Sequence, residues 1–221
     1  MFKAIIFDMD GLMFDSEAVG IKMIEKVLED YPFEFSRELI LSIIGTNQKN
    51  VRNVLMDHYG ENFPFDEIMS QEKELVLKYY DEEDIPKKPG LIELLEFLKE
   101  INIRIGLATS TYRVRAEHIL KKAGVYPYFD VIVCGDEVTD SKPNPEIYQK
   151  AVKKLGVTKQ DALVLEDSEN GLRAAHAAGI RTVFIKDLVT PKDEVLNEVS
   201  HQAKTLHEVI DIVKQINKLA E

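Results

Sequence analysis

The stretch that decides the fold is Phe2-Lys3-Ala4-Ile5-Ile6-Phe7-Asp8-Met9-Asp10-Gly11, at the beginning of the chain. A short apolar run ends here in two carboxylates, Asp8 and Asp10, and a glycine follows them. Such a run is typical of a strand that is buried on both faces of a parallel sheet. Open parallel sheets hold their chemistry beyond the carboxyl ends of the strands, so both carboxylates are candidates for a functional site.

From residue 91 onward the sequence alternates between helical and strand patterns. Helices are predicted at 91–100, 114–123, 145–155 and 171–178, and strands at 103–108, 131–134, 162–165 and 182–185. Strands that alternate with helices predict right-handed βαβ units and a parallel sheet. The first strand must join this sheet, because alone it could not bury both of its faces. We therefore predict an α/β fold, with a Rossmann-like parallel sheet as the core and helices on both of its faces.

The segment between the first strand and this alternating region has a different pattern. Its apolar residues follow helical spacing from residue 17 to about residue 80, and it contains no convincing strand. It therefore predicts a small all-helical domain inserted after the first strand. We predict a core domain made of residues 1–15 and 86–221, and a helical domain made of residues 16–85.

Composition excludes several classes of protein. A net charge of −11 over 221 residues argues against binding to nucleic acid, which usually needs a basic face. The single cysteine, Cys134, excludes an internal disulfide and a cysteine-rich metal site. No signal peptide is recognisable, and no stretch reaches the roughly 20 apolar residues of a membrane span. We expect a cytoplasmic protein, and a monomer, because no apolar surface stripe stands out.

Three more polar segments follow strands or lie in the loops beside them. Thr109-Ser110-Thr111 ends one predicted strand, and Ser141-Lys142-Pro143-Asn144-Pro145 lies in the loop after the next. Glu166-Asp167-Ser168 ends a third. Because parallel strands present their carboxyl ends at one edge, these segments are expected to meet Asp8 and Asp10 there.

The charges at this edge predict a bound cation. Up to four carboxylates would share a small space: Asp8, Asp10, Glu166 and Asp167. At about 4 Å and an effective dielectric constant of about 20, each like-charge pair costs about 4 kcal/mol. One lysine cannot offset that repulsion. Oxygen ligands without histidine or cysteine nearby favour a hard ion, and Mg²⁺ suits a site that also holds a phosphate.

The remaining polar groups suit the oxygens of a phosphoryl group. Thr109 supplies a hydroxyl, Ser110 a backbone N–H and Lys142 a positive charge. A carboxylate nucleophile, a second carboxylate as acid and base, a metal and such donors together indicate a phosphoryl-transfer site.

The motifs together resemble those of the haloacid dehalogenase-like (HAD) hydrolase superfamily. The four matching segments are Asp8-Met9-Asp10-Gly11, Thr109-Ser110, Lys142-Pro143-Asn144-Pro145 and Glu166-Asp167-Ser168. The helical insertion resembles the cap domain of that superfamily. Gly11-Leu12-Met13-Phe14-Asp15-Ser16-Glu17 and Glu166-Asp167-Ser168-Glu169-Asn170-Gly171 resemble the branch of β-phosphoglucomutase and of the sugar-phosphate and pseudouridine-phosphate phosphatases.

The resemblance implies a role for each core residue. Asp8 would attack phosphorus, and Asp10 would protonate the leaving oxygen and then deprotonate water. The transferring group would be held by Thr109, Ser110 and Lys142. The implied Mg²⁺ ligands are Asp8, the backbone carbonyl of Asp10, and Asp167, with Glu166 as a further ligand or as a partner of one.

Three functions remain open from the sequence: a phosphatase of small phosphomonoesters, a phosphomutase like β-phosphoglucomutase, and a non-catalytic phosphate-binding protein. Mutases of the family carry a histidine shortly after the segment that Asp15-Ser16 matches, but this chain reads Glu17-Ala18-Val19-Gly20. We therefore prefer a phosphatase whose partner is a small phosphorylated metabolite, such as a sugar, polyol or nucleoside phosphate. The candidates for substrate binding in the helical domain are Gly45, Thr46, Asn47, Lys49 and Arg52.

Overall fold

A computed structural model of the protein describes residues 1–44, 46 and 48–218. The strands are β1 (Ala4–Phe7), β2 (Arg104–Ala108), β3 (Val131–Val133), β4 (Ala162–Glu166), β5 (Arg181–Ile185) and β6 (His201–Ala203). The helices are α1 (Ser16–Leu28), α2 (Arg37–Ile43), α3 (Gln48–Tyr59), α4 (Phe65–Glu82), α5 (Leu91–Glu100), α6 (Arg113–Lys122), α7 (Glu146–Leu155), α8 (Glu169–Ala178), α9 (Asp193–Leu196) and α10 (Leu206–Asn217).

The chain divides into two compact units. One comprises Met1–Phe14 and the chain from Ile85 onward, and the other comprises Asp15–Asp84. The first unit contains the sheet, and the second contains α1 to α4.

The six strands form one sheet in the order β3-β2-β1-β4-β5-β6, and every neighbouring pair is parallel. β1 lies between β2 and β4, and all four of its residues are buried. Its central place explains its composition, because a strand with neighbours on both edges and helices over the sheet has no face exposed to water.

Side chains of β1 alternate between the two faces of the sheet. Ala4 and Ile6 share an apolar cluster with α7 and α8, whereas α5 and α10 pack against each other and against β2 and β6. The predicted α/β fold, with a parallel sheet and an inserted group of helices, is confirmed. Two short elements, α9 and β6, were not predicted from the sequence.

A tight turn follows β1 and leads to the end of the first segment of the core unit. Gly11 has a φ of +79°, a conformation that L side chains rarely adopt, and its N–H donates to the carbonyl of Phe14. Phe14 also bridges to Lys87, and the N–H of Lys88 donates to the carbonyl of Met13. The two segments of the core unit are therefore joined by backbone hydrogen bonds beside the end of β1.

The helical unit has an apolar core of its own. α1 packs against α4, and α2 and α3 complete the group. Its buried side chains include Ile24, Leu28, Ile43, Leu55 and Ile68. Neither in this unit nor elsewhere in the described ranges is any helix both long enough and apolar enough to cross a membrane.

Candidate active site

The register of the central strands brings the predicted site residues to one edge of the sheet. Phe7, the last residue of β1, lies opposite Leu107 of β2 and Leu165 of β4. Asp8 is the next residue, and its N–H donates to the carbonyl of Leu165. Asp8 thus lies at the level of Glu166, the last residue of β4, and Thr109 follows one residue further along, directly after β2.

The side chain of Lys142 lies between two carboxylates, those of Asp8 and Glu166. Its Nζ lies 2.5 Å from Oδ1 of Asp8 and 2.7 Å from Oε1 of Glu166, and only 6% of its side chain is exposed. The Nζ also lies 5.0 Å from the centre of the ring of Tyr148. A buried ammonium group must have charged or polar partners, and here two carboxylates supply them.

Glu166 is fully buried and accepts hydrogen bonds at both of its oxygens. Its Oε1 accepts a hydrogen bond from Lys142 and another, of 2.9 Å, from the hydroxyl of Tyr148. Its Oε2 accepts from the N–H groups of Asp167 and Ser168, each at 2.9 Å, and from the hydroxyl of Ser168 at 3.0 Å. With five donors around it, this carboxylate is held in one position.

Asp167 completes a cluster of three buried carboxylates. Asp8, Glu166 and Asp167 each offer one oxygen, and these oxygens all lie within 4.8 Å of one another. A Cβ on Gly11 would lie only 2.3 Å from Oδ2 of Asp167. The absence of a side chain at Gly11 therefore leaves room for this carboxylate.

The charges in the cluster do not balance. Burial raises the pKa of Asp8 to about 7; the charge of Lys142 opposes this, and the charges of Glu166 and Asp10 add to it. Burial alone would lower the pKa of Lys142, but Asp8 and Glu166 raise it well above its usual value. One ammonium group beside three carboxylates leaves an excess of negative charge in a buried space.

A divalent cation would fit this donor set. The cluster consists of carboxylate oxygens, which suit a hard ion such as Mg²⁺, and Lys142 neutralises only part of its charge. The space beside Gly11, into which Asp167 points, would be closed by a side chain. Both observations favour the metal site that the sequence predicted.

Asp10 has a separate partner and does not belong to the carboxylate cluster. Its Oδ2 accepts a hydrogen bond of 2.7 Å from Oγ1 of Thr111. Thr111 lies in the loop after β2, and its N–H donates to Oγ1 of Thr109 at 3.0 Å. This loop therefore orients the carboxylate of Asp10.

The two predicted phosphate-binding residues after β2 differ in exposure. Thr109 is fully buried, and its N–H donates to the carbonyl of Val133 in β3. Ser110 is exposed. A Cβ on Gly135 would lie 2.1 Å from the carbonyl oxygen of Ser110, so a side chain at Gly135 would displace this loop.

The candidates in the helical unit have contacts of their own. Gly45 and Asn47 lie outside the described residues. The hydroxyl of Thr46 donates to the carbonyl of Ile43 at 2.7 Å, and Lys49 is an exposed residue of α3. Arg52 pairs with Asp66 and lies over the ring of Phe65 at 4.3 Å. A role for Thr46, Lys49 or Arg52 in substrate binding stays a prediction.

Sequence reasoning missed several residues that support the site. Thr111 follows β2 together with Thr109 and Ser110, yet no pattern in the sequence indicates that it is the partner of Asp10. Tyr148 lies on the buried face of α7, where helical spacing indicates a core residue and does not reveal the bond to Glu166. Asp187 follows β5 by two residues, and the rule that selected Asp8 could have selected it.

Comparison with known proteins matches this chain to one family. The sequence profile of the family described as haloacid dehalogenase-like hydrolase matches residues 5–185. A curated relative, the phosphorylated carbohydrates phosphatase of Thermotoga maritima, is 35% identical over 187 residues, which are 82% of this chain and 84% of that protein.

Two solved structures are also similar to this chain. A Thermotoga maritima protein, provisionally described as a β-phosphoglucomutase, has a TM-score of 0.81 at 29% identity, covering 97% of this chain and 100% of that one. The D10N mutant of CbbY from Rhodobacter sphaeroides, in complex with xylulose-(1,5)bisphosphate, has a TM-score of 0.78 at 28% identity, covering 94% and 96%.

Proposed function

This chain belongs to the haloacid dehalogenase-like hydrolase family, and from that membership we propose that it is a Mg²⁺-dependent phosphatase of small phosphomonoesters, with phosphorylated carbohydrates as the expected substrates. The family and the phosphatases among its relatives place it with the phosphoric monoester hydrolases. The substrate class is supported by the phosphorylated carbohydrates phosphatase and by the sugar bisphosphate bound to CbbY.

The observation that carries the proposal is the position of Lys142 between Asp8 and Glu166, in the same buried cluster as Asp167. An ion pair in the interior is a weak source of stability, because desolvation opposes the attraction between the charges. A buried group of three acids and one lysine is better explained by a reaction in which charge must be neutralised.

We assign the covalent chemistry to Asp8. Its carboxylate attacks phosphorus, the bond from phosphorus to the leaving oxygen breaks, and Asp10 donates a proton to that oxygen. Asp10 then removes a proton from water, which attacks the phosphorus of the aspartyl-phosphate. This second step releases inorganic phosphate and restores the carboxylate of Asp8. Thr111 holds Asp10 in position for both proton transfers.

The phosphoryl group would be bound by the donors at the same edge. Lys142 supplies a positive charge, and the loop at Thr109 and Ser110 supplies hydroxyl and N–H donors. Asp8 and Asp167 would hold the cation, together with the backbone carbonyl of Asp10, and Glu166 would either bind it or position Asp167. When bound, the cation would supply charge neutralisation for the phosphoryl group.

A phosphomutase is the second candidate, favoured by the similarity to the protein provisionally described as a β-phosphoglucomutase. A mutase needs a second anchor for phosphate, for which the helical unit offers Lys49 and Arg52. Arg52 is already paired with Asp66 inside that unit, which favours the phosphatase. We expect the helical unit to contact the leaving group and to set specificity, as a cap domain.

The experiment that tests this function is a screen of Mg²⁺-dependent phosphate release. The purified protein is assayed against sugar, polyol, nucleoside and short-acid monophosphates, with and without a chelator. Asp8→Asn is the control, because it removes the nucleophile and keeps the size of the side chain.

Release from sugar phosphates that is lost in the chelator and in Asp8→Asn would support the proposal. Conversion of a sugar monophosphate into its isomer without phosphate release, followed by ³¹P NMR, would support the mutase. Binding of phosphate without either reaction would indicate a non-catalytic protein.

A further inference from the structure

Another acidic residue, Asp187, lies beside the carboxylate cluster. Asp187 follows β5, and its side chain is only 6% exposed. The position that a Cβ on Gly11 would occupy lies 2.3 Å from Oδ2 of Asp167 and 3.0 Å from Oδ2 of Asp187. The two carboxylates therefore border the same small space, and Gly11 keeps that space open.

The two oxygens of Asp187 have different surroundings. Oδ1 accepts a hydrogen bond of 2.5 Å from Nζ of Lys88, whose side chain is 20% exposed. Oδ2 is buried and, within the part of the chain that the structure describes, has no hydrogen-bond partner. A buried acceptor without a partner costs free energy, so native proteins usually supply such an atom with a donor, often an ordered water or an ion.

Lys88 is the ion-pair partner of the buried Asp187. Its backbone N–H is fixed by the carbonyl of Met13, next to the turn that contains Gly11. Its side chain neutralises Asp187 from the side of Oδ1, which leaves Oδ2 facing the space beside Gly11 and Asp167. The ion pair thus orients the acceptor toward the cluster.

We propose that Asp187 is a positioning residue of the metal site, whose Oδ2 accepts a hydrogen bond from a water of the hydrated cation. Asp187 is not one of the acids whose oxygens lie within 4.8 Å of one another, so a direct ligand role is not favoured. Mg²⁺ gives up its waters reluctantly and keeps several of them in protein sites. Carboxylates outside the ligand shell commonly orient such ligands, and their loss weakens metal binding.

This inference rests on the proposed function, because it takes a divalent cation at the carboxylate cluster as given. The test is the affinity for Mg²⁺, measured by isothermal titration calorimetry on protein stripped with EDTA, without substrate. Asp187→Asn replaces a carboxylate, which has two acceptor oxygens, by an amide, which has one. The NH2 group of the amide then faces either Lys88 or the cluster, and the hydrogen bond accepted on that side is lost. Asp193→Asn, at an exposed position in α9, removes the same charge as a control.

We expect Asp187→Asn to raise the Kd for Mg²⁺ about tenfold, and Asp193→Asn to leave it within about twofold. If Asp187→Asn does not fold, Lys88→Gln provides the second variant, because it removes the group that orients Asp187, and we expect the same direction of change. Thermal unfolding without metal is measured in parallel, because a purely structural pair would lower Tm and leave the Kd unchanged.

Wild-type affinity in the Asp187 and Lys88 variants, with normal Mg²⁺ binding in the wild type, would overturn this inference and leave the phosphatase intact. Failure of the wild type to bind Mg²⁺ would overturn the metal site itself, and with it the role of Asp187.

Discussion

Oγ1 of Thr111 donates a hydrogen bond of 2.7 Å to Oδ2 of Asp10, which links the loop after β2 to the turn after β1. The bond fixes one oxygen of the carboxylate to which we assign both proton transfers. A general acid acts only when it lies within hydrogen-bond reach of the leaving oxygen, and a small displacement can cost about 100-fold in rate.

We therefore predict that Thr111→Val lowers kcat/KM by roughly 10- to 100-fold for a sugar phosphate, whose leaving oxygen must be protonated. For p-nitrophenyl phosphate, whose leaving group is stable without a proton, the loss should be several times smaller. Steady-state kinetics on both substrates measure the difference.

Thr111→Ser retains the hydroxyl and should keep most of the activity. Equal losses on both substrates would contradict the assignment, because they would indicate that Thr111 supports the site without orienting the acid.

The fold was largely readable from the sequence because β1 is buried on both faces. A central strand of a parallel sheet must be apolar throughout, and every residue from Ala4 to Phe7 is apolar. β6 was missed for the opposite reason. Its three residues, His201–Ala203, contain no apolar run, and they form a strand only because β5 offers a free edge.

The site residues could be predicted where they follow a strand directly. Asp8 and Glu166-Asp167 follow apolar runs, so their position at the edge of the sheet could be inferred. The contacts that hold these residues could not be inferred. Tyr148 binds Glu166, and Lys88 binds Asp187 beside the cluster, and both come from distant parts of the chain. Their partners depend on the packing of whole elements, for which the local sequence gives no sign.

Gly171 shows how closely α8 approaches the carboxylate cluster. A Cβ on this residue would lie 1.6 Å from Oε1 of Glu166, and Glu166 cannot move away without losing its bonds to Lys142 and Tyr148. We predict that Gly171→Ala lowers kcat at least 100-fold and destabilises the protein by about 2–3 kcal/mol, as overpacking does. Urea unfolding and turnover of the same preparation measure both effects.

The matched control is Gly20→Ala, in the middle of α1. There the nearest atom to an added Cβ is Oε1 of Glu72 at 3.8 Å, an ordinary contact. This variant should keep its activity and gain up to about 1 kcal/mol, since alanine favours a helix over glycine. Wild-type turnover in Gly171→Ala would show that Glu166 has more freedom than its five hydrogen bonds indicate.

Glu137 lies at the centre of the charged contacts that follow β3. Its Oε1 accepts from Arg113 at 2.5 Å and from the N–H of Cys134 at 3.0 Å, and its Oε2 lies 2.6 Å from Nζ of Lys154. Partial burial alone would raise the pKa of Glu137, but the hydrogen bonds from Lys154, Cys134 and Arg113 outweigh it and lower the pKa to about 2, from 4.5.

A carboxyl group whose pKa is lower in the folded than in the unfolded protein stabilises the fold above its unfolded pKa. The stabilisation is complete above about pH 4.5 and is lost as the pH falls toward about 2. We predict that Glu137→Gln lowers the free energy of unfolding by about 1–2 kcal/mol at pH 7, less than the full shift in pKa implies, because water screens the partly exposed side chain. The deficit should shrink steadily between pH 4.5 and pH 2.

Urea unfolding of both proteins at several pH values measures this dependence. Glu96→Gln, at an exposed position on α5, provides the control and should differ from the wild type by less than about 0.5 kcal/mol at every pH. A deficit for Glu137→Gln that stays constant down to pH 2 would mean that the introduced amide loses packing or hydrogen-bond geometry and that the charge of Glu137 contributes little. A deficit that disappears in step with protonation would show that Arg113 and Lys154 stabilise the loop after β3 through that charge.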